Sequence, residues 1–208
     1  GNAEATKTRI LAAAFAEFAA HGVAGARVDR IAAQAGCNKN LIYVYFSDKE
    51  QLFTTVLYAQ LEHVHRTLPF APDDVPGYAT RIFEYATANP DVMRLLAWAG
   101  LERKTEGVVR RRPRFDEKVV AMRKLQADGS LGDLIPPQPL LTMATAIATA
   151  WSAANPFGSL LDPITAKNPS RLRSLVHAVV ELLATANASD GDRASKAPKR
   201  RRAPQGAQ

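Results

Sequence analysis

Residues 26–50 read Ala26-Arg27-Val28-Asp29-Arg30-Ile31-Ala32-Ala33-Gln34-Ala35-Gly36-Cys37-Asn38-Lys39-Asn40-Leu41-Ile42-Tyr43-Val44-Tyr45-Phe46-Ser47-Asp48-Lys49-Glu50. Val28, Ile31, Ala32 and Ala35 recur at helical spacing and form a short apolar stripe. Gly36 breaks that helix where a turn needs a residue that tolerates positive φ. Asn38 then supplies a side-chain oxygen able to cap the next helix, which the pattern places from Lys39 to Phe46. Helical spacing puts Ile42 and Phe46 toward a core, Asn40, Tyr43 and Val44 on another side, and Lys39 at the exposed N-terminal end. Two short helices joined this way, the second polar at its start, have the grammar of a helix-turn-helix that reads base edges in the major groove.

The run from Ile31 to Phe53 resembles the signature of TetR-type transcriptional regulators, and the ending Tyr43-Val44-Tyr45-Phe46-Ser47-Asp48-Lys49-Glu50-Gln51-Leu52-Phe53 makes the match specific. Upstream, Arg9-Ile10-Leu11-Ala12-Ala13-Ala14 and Phe18 through Gly22 match that family's first helix and its ending. The rest of the chain resembles the family only as a helical architecture. The resemblance implies an all-α fold of about nine helices, with an N-terminal three-helix helix-turn-helix domain at 1–48 and a C-terminal helical effector-binding and dimerisation bundle at 49–188. It implies a homodimeric repressor that binds a palindromic operator on double-stranded DNA and is released by a small, largely apolar effector. No cofactor and no catalytic role follow from it.

Composition agrees. Of 208 residues, 47% are hydrophobic, enough for a sizeable core, and the formal net charge of +7 favours a polyanionic partner. The single cysteine, Cys37, excludes an internal disulfide and fits a reducing, cytoplasmic setting. No apolar run reaches the roughly 18 residues of a membrane span, and charges scattered through the first helix argue against a signal peptide. His63 and His65 are two apart on a helix and share no face, and no Cys-x-x-Cys or Glu-x-x-His spacing exists, so the sequence holds no metal site. Neither a Gly-rich phosphate loop nor a nucleophile elbow is present.

Beyond the reading pair, Ser47 with Glu50 reads as a capping box that opens helix four, which continues to about Leu68. Asn89-Pro90-Asp91 and Asn168-Pro169 read as helix starts, and the eighth helix is predicted from Pro137 to Ala154. Arg110, Arg111, Arg112 and Arg114 form a charge run whose default is a solvated loop. From Ser189 to Gln208 apolar periodicity is lost, and the basic, proline-bearing stretch reads as a disordered tail.

Seven residues are candidates for DNA: Arg27, Asn38, Lys39, Asn40, Tyr43, Val44 and Lys49. Lysine suits guanine O6 and N7, asparagine suits adenine N6 and N7, and a valine can meet a thymine methyl or stay silent. The resemblance gives Tyr43 and Lys49 phosphate contacts. It also marks departures, since the family's usual hydroxyls are replaced at Ala26 and Arg27, which weakens the cap of helix two, and Cys37 stands where valine is usual. Aromatics and methionines scattered through helices four to eight include five candidate pocket residues, Phe83, Met93, Trp98, Met122 and Trp151. Each alone reads as core; as a group the resemblance implies a small-molecule cage. Broad apolar stripes on helices eight and nine supply the dimer candidates Ile147, Trp151, Leu172, Leu175, Val179 and Leu183. Two alternatives stay open: a DNA-binding regulator without a small-molecule effector, and a helical ligand-binding module that does not bind DNA.

Overall fold

The structure is a computed structural model that describes residues 2–102 and 112–188. The basic tail and the side chains of the arginine run at 110–114 lie outside the described residues. Ten α-helices and one 3-10 turn occur among the described residues, with no strand. They are α1 (Asn2–Gly25), α2 (Val28–Ala35), α3 (Lys39–Phe46), α4 (Lys49–Thr67), α5 (Val75–Ala88), α6 (Pro90–Leu101), α7 (Arg112–Ala127), α8 (Pro137–Thr149), α9 (Phe157–Leu161), the 3-10 turn Thr165–Lys167, and α10 (Pro169–Thr185).

Three local expectations need correction. Helix eight stops at Thr149, not Ala154, and a run of turns leads into the additional helix α9. Alanines continue the apolar pattern through Ala154, so periodicity carries no sign of the stop. The fold sets it: α9 folds back so closely that a Cβ on Gly158 would stand 2.3 Å from the Ala150 carbonyl oxygen. The cap of α4 is Asp48, whose carboxylate accepts from the Gln51 amide at 2.7 Å, and not Ser47. Asn89 does not cap α6 through its side chain; its Nδ2 donates back to the Tyr85 carbonyl at 2.8 Å and closes α5.

Two apolar cores organise the helices. The first is built by α1 to α4 around Ile10, Phe18, Ile31, Ile42, Leu52 and Phe53, and α6 contributes Leu95 and Ala99 to it. Phe18 and Phe53 meet edge to face with centroids 5.1 Å apart, which joins the middle of α1 to the start of α4. In the second core, α5 packs against both α8 and α10, with Tyr78, Phe83, Met122, Leu140, Leu172 and Val176 inside. The packing of α1 on both α4 and α6 ties the first core to the rest of the chain.

Candidate nucleic-acid interface and effector cavity

The helix-turn-helix is held on α1 by a carboxylate that the sequence reading did not single out. Glu17 falls in the i, i+3, i+4, i+7 series with Ile10, Ala13 and Ala14, so it is carried inward and is buried. Its Oε1 accepts from the Arg27 amide at 2.8 Å and from Arg30 Nε at 2.8 Å, and Arg30 Nη2 adds a further bond. Burial pushes the Glu17 carboxyl up, but the Arg30 guanidinium and the Arg27 amide outweigh it and hold the group below its ordinary value. This bond also answers the missing hydroxyl at the start of α2. No side chain caps α2 from Arg27, yet the Arg27 amide is satisfied by a glutamate from the preceding helix.

The turn after α2 follows its sequence. Gly36 adopts φ 63°, and its amide and that of Cys37 return to the Ala33 and Ala32 carbonyls at 3.2 and 3.0 Å. Asn38 then caps α3, its side-chain oxygen accepting from the Asn40 amide at 2.9 Å. Ile42 and Phe46 are buried. Arg27, Asn38, Asn40, Tyr43 and Val44 are exposed, with Val44 at 76%. The Asn40 side-chain amide is exposed, and among the described residues only its backbone amide is engaged. Lys39 differs, because its ammonium is 2.9 Å from Asp29 in the first turn of α2. Hydrogen bonding to Asp29 raises the Lys39 ammonium above its ordinary pKa.

Lys49 lies in the first turn of α4, and its ammonium donates to the Ala26 carbonyl at 3.3 Å. Lys49 and Arg27 therefore stand together where α2 and α4 begin. Only Ser47 and Asp48 separate α3 from α4. Ser47 has φ 62° and ψ −56°, and the Asp48 amide reaches the Phe46 carbonyl at 2.6 Å. This is a three-residue γ-turn centred on a serine in a strained region of backbone space.

A second link runs from α6 to the end of α1. Gly22 interrupts α1 with φ 65°, leaving the amides of Val23 and Ala24 at the start of a new turn. Glu102 Oε1, just past α6, accepts from both, at 3.0 and 3.4 Å. A Cβ on Gly22 would come within 2.9 Å of the Trp98 ring, so the glycine is required both by conformation and by close approach.

The aromatic cage is only partly where the sequence placed it. A cavity of about 210 Å³ opens between α4, α5, α6, α7 and α8, with Leu61, Tyr78, Ile82, Met93, Leu96 and Lys118 among its walls. Of the five pocket candidates, Met93 alone lines it. Phe83 and Met122 are buried in the second core, Trp151 packs against that core, and Trp98 covers Gly22. Residue size predicts burial but not which void a side chain faces. Tyr85, Phe115 and Lys118 are wall residues, and of these the lysine carried no sequence signal beyond a charge on a helix.

The dimer candidates divide in the same way. Leu172 is 3% exposed and packed inside its own protomer, so it has no surface to give a partner. Ile147, Trp151 and Leu183 are partly buried against the second core. Leu175 and Val179 are exposed, and Leu182 extends their row on α10 with 70% exposure. Phe157, Leu160, Leu161 and Ile164, from α9 and the turn after it, are also exposed. The sequence reading missed these four because it had absorbed the region into helix eight and the loop after it.

Among the described residues no helix is long and apolar enough to cross a membrane. Comparison with known proteins places both halves of the chain. The family described as bacterial regulatory proteins, tetR family, matches residues 10–56, and the tetracyclin repressor-like C-terminal domain matches residues 74–182. The HTH-type transcriptional repressor SCO4008 of Streptomyces coelicolor is 43% identical over 156 residues, which cover 74% of this chain and 81% of that protein. The HTH-type transcriptional repressor NicS of Pseudomonas putida is 34% identical over 107 residues, 48% of this chain and 50% of that protein. The crystal structure of the transcriptional regulator SCO4942 from Streptomyces coelicolor aligns with a TM-score of 0.75 and 34% identity, over 86% of this chain and 98% of that one.

Proposed function

Because the chain belongs to the tetR family of bacterial regulatory proteins, which are DNA-binding transcription factors and not enzymes, we propose that it is a repressor acting in the cytoplasm, bound as a homodimer to a palindromic operator and released by a small, largely apolar molecule. The observation that carries the reading is the exposed face of α3, where Asn40, Tyr43 and Val44 project beyond a helix anchored by Ile42 and Phe46. Asn40 reads a base edge, Lys39 and Val44 flank it, and Arg27, Asn38, Tyr43 and Lys49 hold phosphates. Residues 1–48 act as the reading head, and residues 49–188 hold the effector and the partner subunit.

One short helix contacts too few base pairs for a specific site, so two copies must read two half-sites. The exposed row of Leu175, Val179 and Leu182 on α10 supplies an apolar face for a two-fold partner. The cavity supplies the effector site. Met93 and Leu96 of α6 form part of its wall, and the same helix leads to Glu102 on the amides after Gly22. An effector that fits the cavity better when α6 has moved draws the dimer from its DNA-competent form, to the extent of that difference in affinity.

Selection of bound duplexes from a random pool tests the reading. The expected product is an inverted repeat with half-sites one helical turn or a multiple of it apart. Recovery of single half-sites would refute the dimeric mode, and recovery of no preferred sequence would refute operator recognition itself.

A further inference from the structure

Two hydrogen-bond donors meet at the wall of the cavity, with no carboxylate among the described residues to receive them. Lys118 Nζ donates to the Tyr78 hydroxyl oxygen at 2.6 Å. It also lies over three rings, 4.7 Å from the Tyr78 centroid, 5.2 Å from Phe70 and 5.9 Å from Phe115. No carboxylate among the described residues is within ion-pair distance of it, and its neighbours Asp116 and Glu117 line a groove on the outer side of α7. Tyr78 is 7% exposed. Since its oxygen accepts from Lys118, its own proton still needs an acceptor, and no described residue provides one. Of the other polar groups of the wall, Thr145 and Thr149 donate to carbonyls of their own helix, and His65 and Tyr85 line it as well.

A cation and a buried O–H that converge on one point of an apolar cavity call for an oxyanion. We propose that the effector is a small apolar organic acid whose carboxylate accepts from Lys118 Nζ and Tyr78 Oη while its hydrocarbon body fills the space between α4, α5 and α6. This deepens the effector reading above and rests on it. The cavity of about 210 Å³ is larger than the roughly 150 Å³ that takes up benzene, a size class that suits a medium-chain acid such as octanoate. A neutral alcohol offers the pair an uncharged acceptor in place of a carboxylate, and a cationic analogue would face Lys118 directly.

Calorimetric titration of the full chain with octanoate, 1-octanol and octylammonium separates these cases, because the tail is shared and the head group alone changes. Octanoate is expected to bind at least tenfold tighter than either of the others. Lys118→Met should bring octanoate down to the level of octanol and leave octanol unchanged, which also shows that the variant is folded. Lys118→Arg should keep the preference for the acid, and Tyr78→Phe should weaken it. Equal binding of octanoate and octanol, or a preference for octylammonium, overturns the assignment of an acid while leaving the cavity as an effector site. Binding of none of the three probes removes the cavity from the effector role, and the proposal falls with it.

Discussion

Lys39, the first residue of α3, is ion-paired with Asp29, the second residue of α2, at 2.9 Å. The pair crosses the helix-turn-helix on its outer side and neutralises the one cation at the start of the recognition helix. We predict that Asp29→Asn tightens binding to any duplex, and that the slope of log affinity against log salt steepens by about one unit as the freed lysine meets a phosphate. An unchanged slope would show that the pair opens on DNA without help.

Asn40 presents an exposed side-chain amide on this face, so base discrimination should rest on it. Asn40→Ala is expected to lower the preference for operator over random DNA by about 1–3 kcal/mol. Tyr43→Phe should weaken both to the same degree, as loss of a phosphate contact does. Fluorescence anisotropy with both duplexes distinguishes the two effects.

Glu17 gives the reading head a dependence on pH. Its folded pKa is depressed below the ordinary value of 4.5, so the stabilisation is complete above about 4.5 and is lost as the pH falls through the folded value. The melting temperature of the wild-type chain should therefore decline below pH 4.5. Glu17→Gln should melt lower at pH 7, by about 1–3 kcal/mol of stability, and show a shallower decline in acid. A parallel decline in both proteins would assign the acid lability to other groups.

Leu172 and Leu182 make opposite predictions on one helix. Leu182→Glu should give a folded monomer with native helix content and a collapsed operator affinity, whereas Leu172→Glu should unfold the protomer, because its side chain is in the core. Sedimentation and circular dichroism together check this, and a stable dimer of Leu182→Glu would move the interface off this face.

Ser47 holds a conformation that side chains branched at Cβ cannot share. Ser47→Val should cost about 1–3 kcal/mol, and Ser47→Gly should be neutral or mildly stabilising, with both read from urea midpoints. Equal midpoints for the valine and glycine variants would mean that the turn relaxes without strain.

The reading pair was legible because its signals act over a few residues. Gly36 needs positive φ and Asn38 caps the helix that follows, whatever packs around them. At the next junction, adjacent residues offered two caps. Ser47 lost to Asp48 because Phe46 must stay buried as the last residue of α3, which forces the chain to reverse at Ser47. In the second core the limits are different. The stripe of α10 is broad enough to hold an inner row at Leu172, Val176, Val180 and Ala184 and an outer row at Leu175, Val179 and Leu182, and hydrophobicity does not tell the rows apart. Phe83 and Met122 were recognisable as large apolar groups, but their facing depends on contacts far along the chain. Glu17 was within reach, as a carboxylate at a core position of α1.

The γ-turn at Ser47 leaves no slack between α3 and α4. Two helices joined through Ser47 and Asp48 alone swing together as a bent lever. With 19 residues, α4 is about 28 Å long at 1.5 Å per residue, and a tilt of about 5° carries one end through about 2.5 Å relative to the other. In the proposed two-fold dimer both levers would move, which doubles the change in span to about 5 Å against the roughly 34–36 Å between half-sites one DNA turn apart. On the proposed mode of action, small rotations at the cavity end would thereby be geared up into a changed spacing of the two recognition helices.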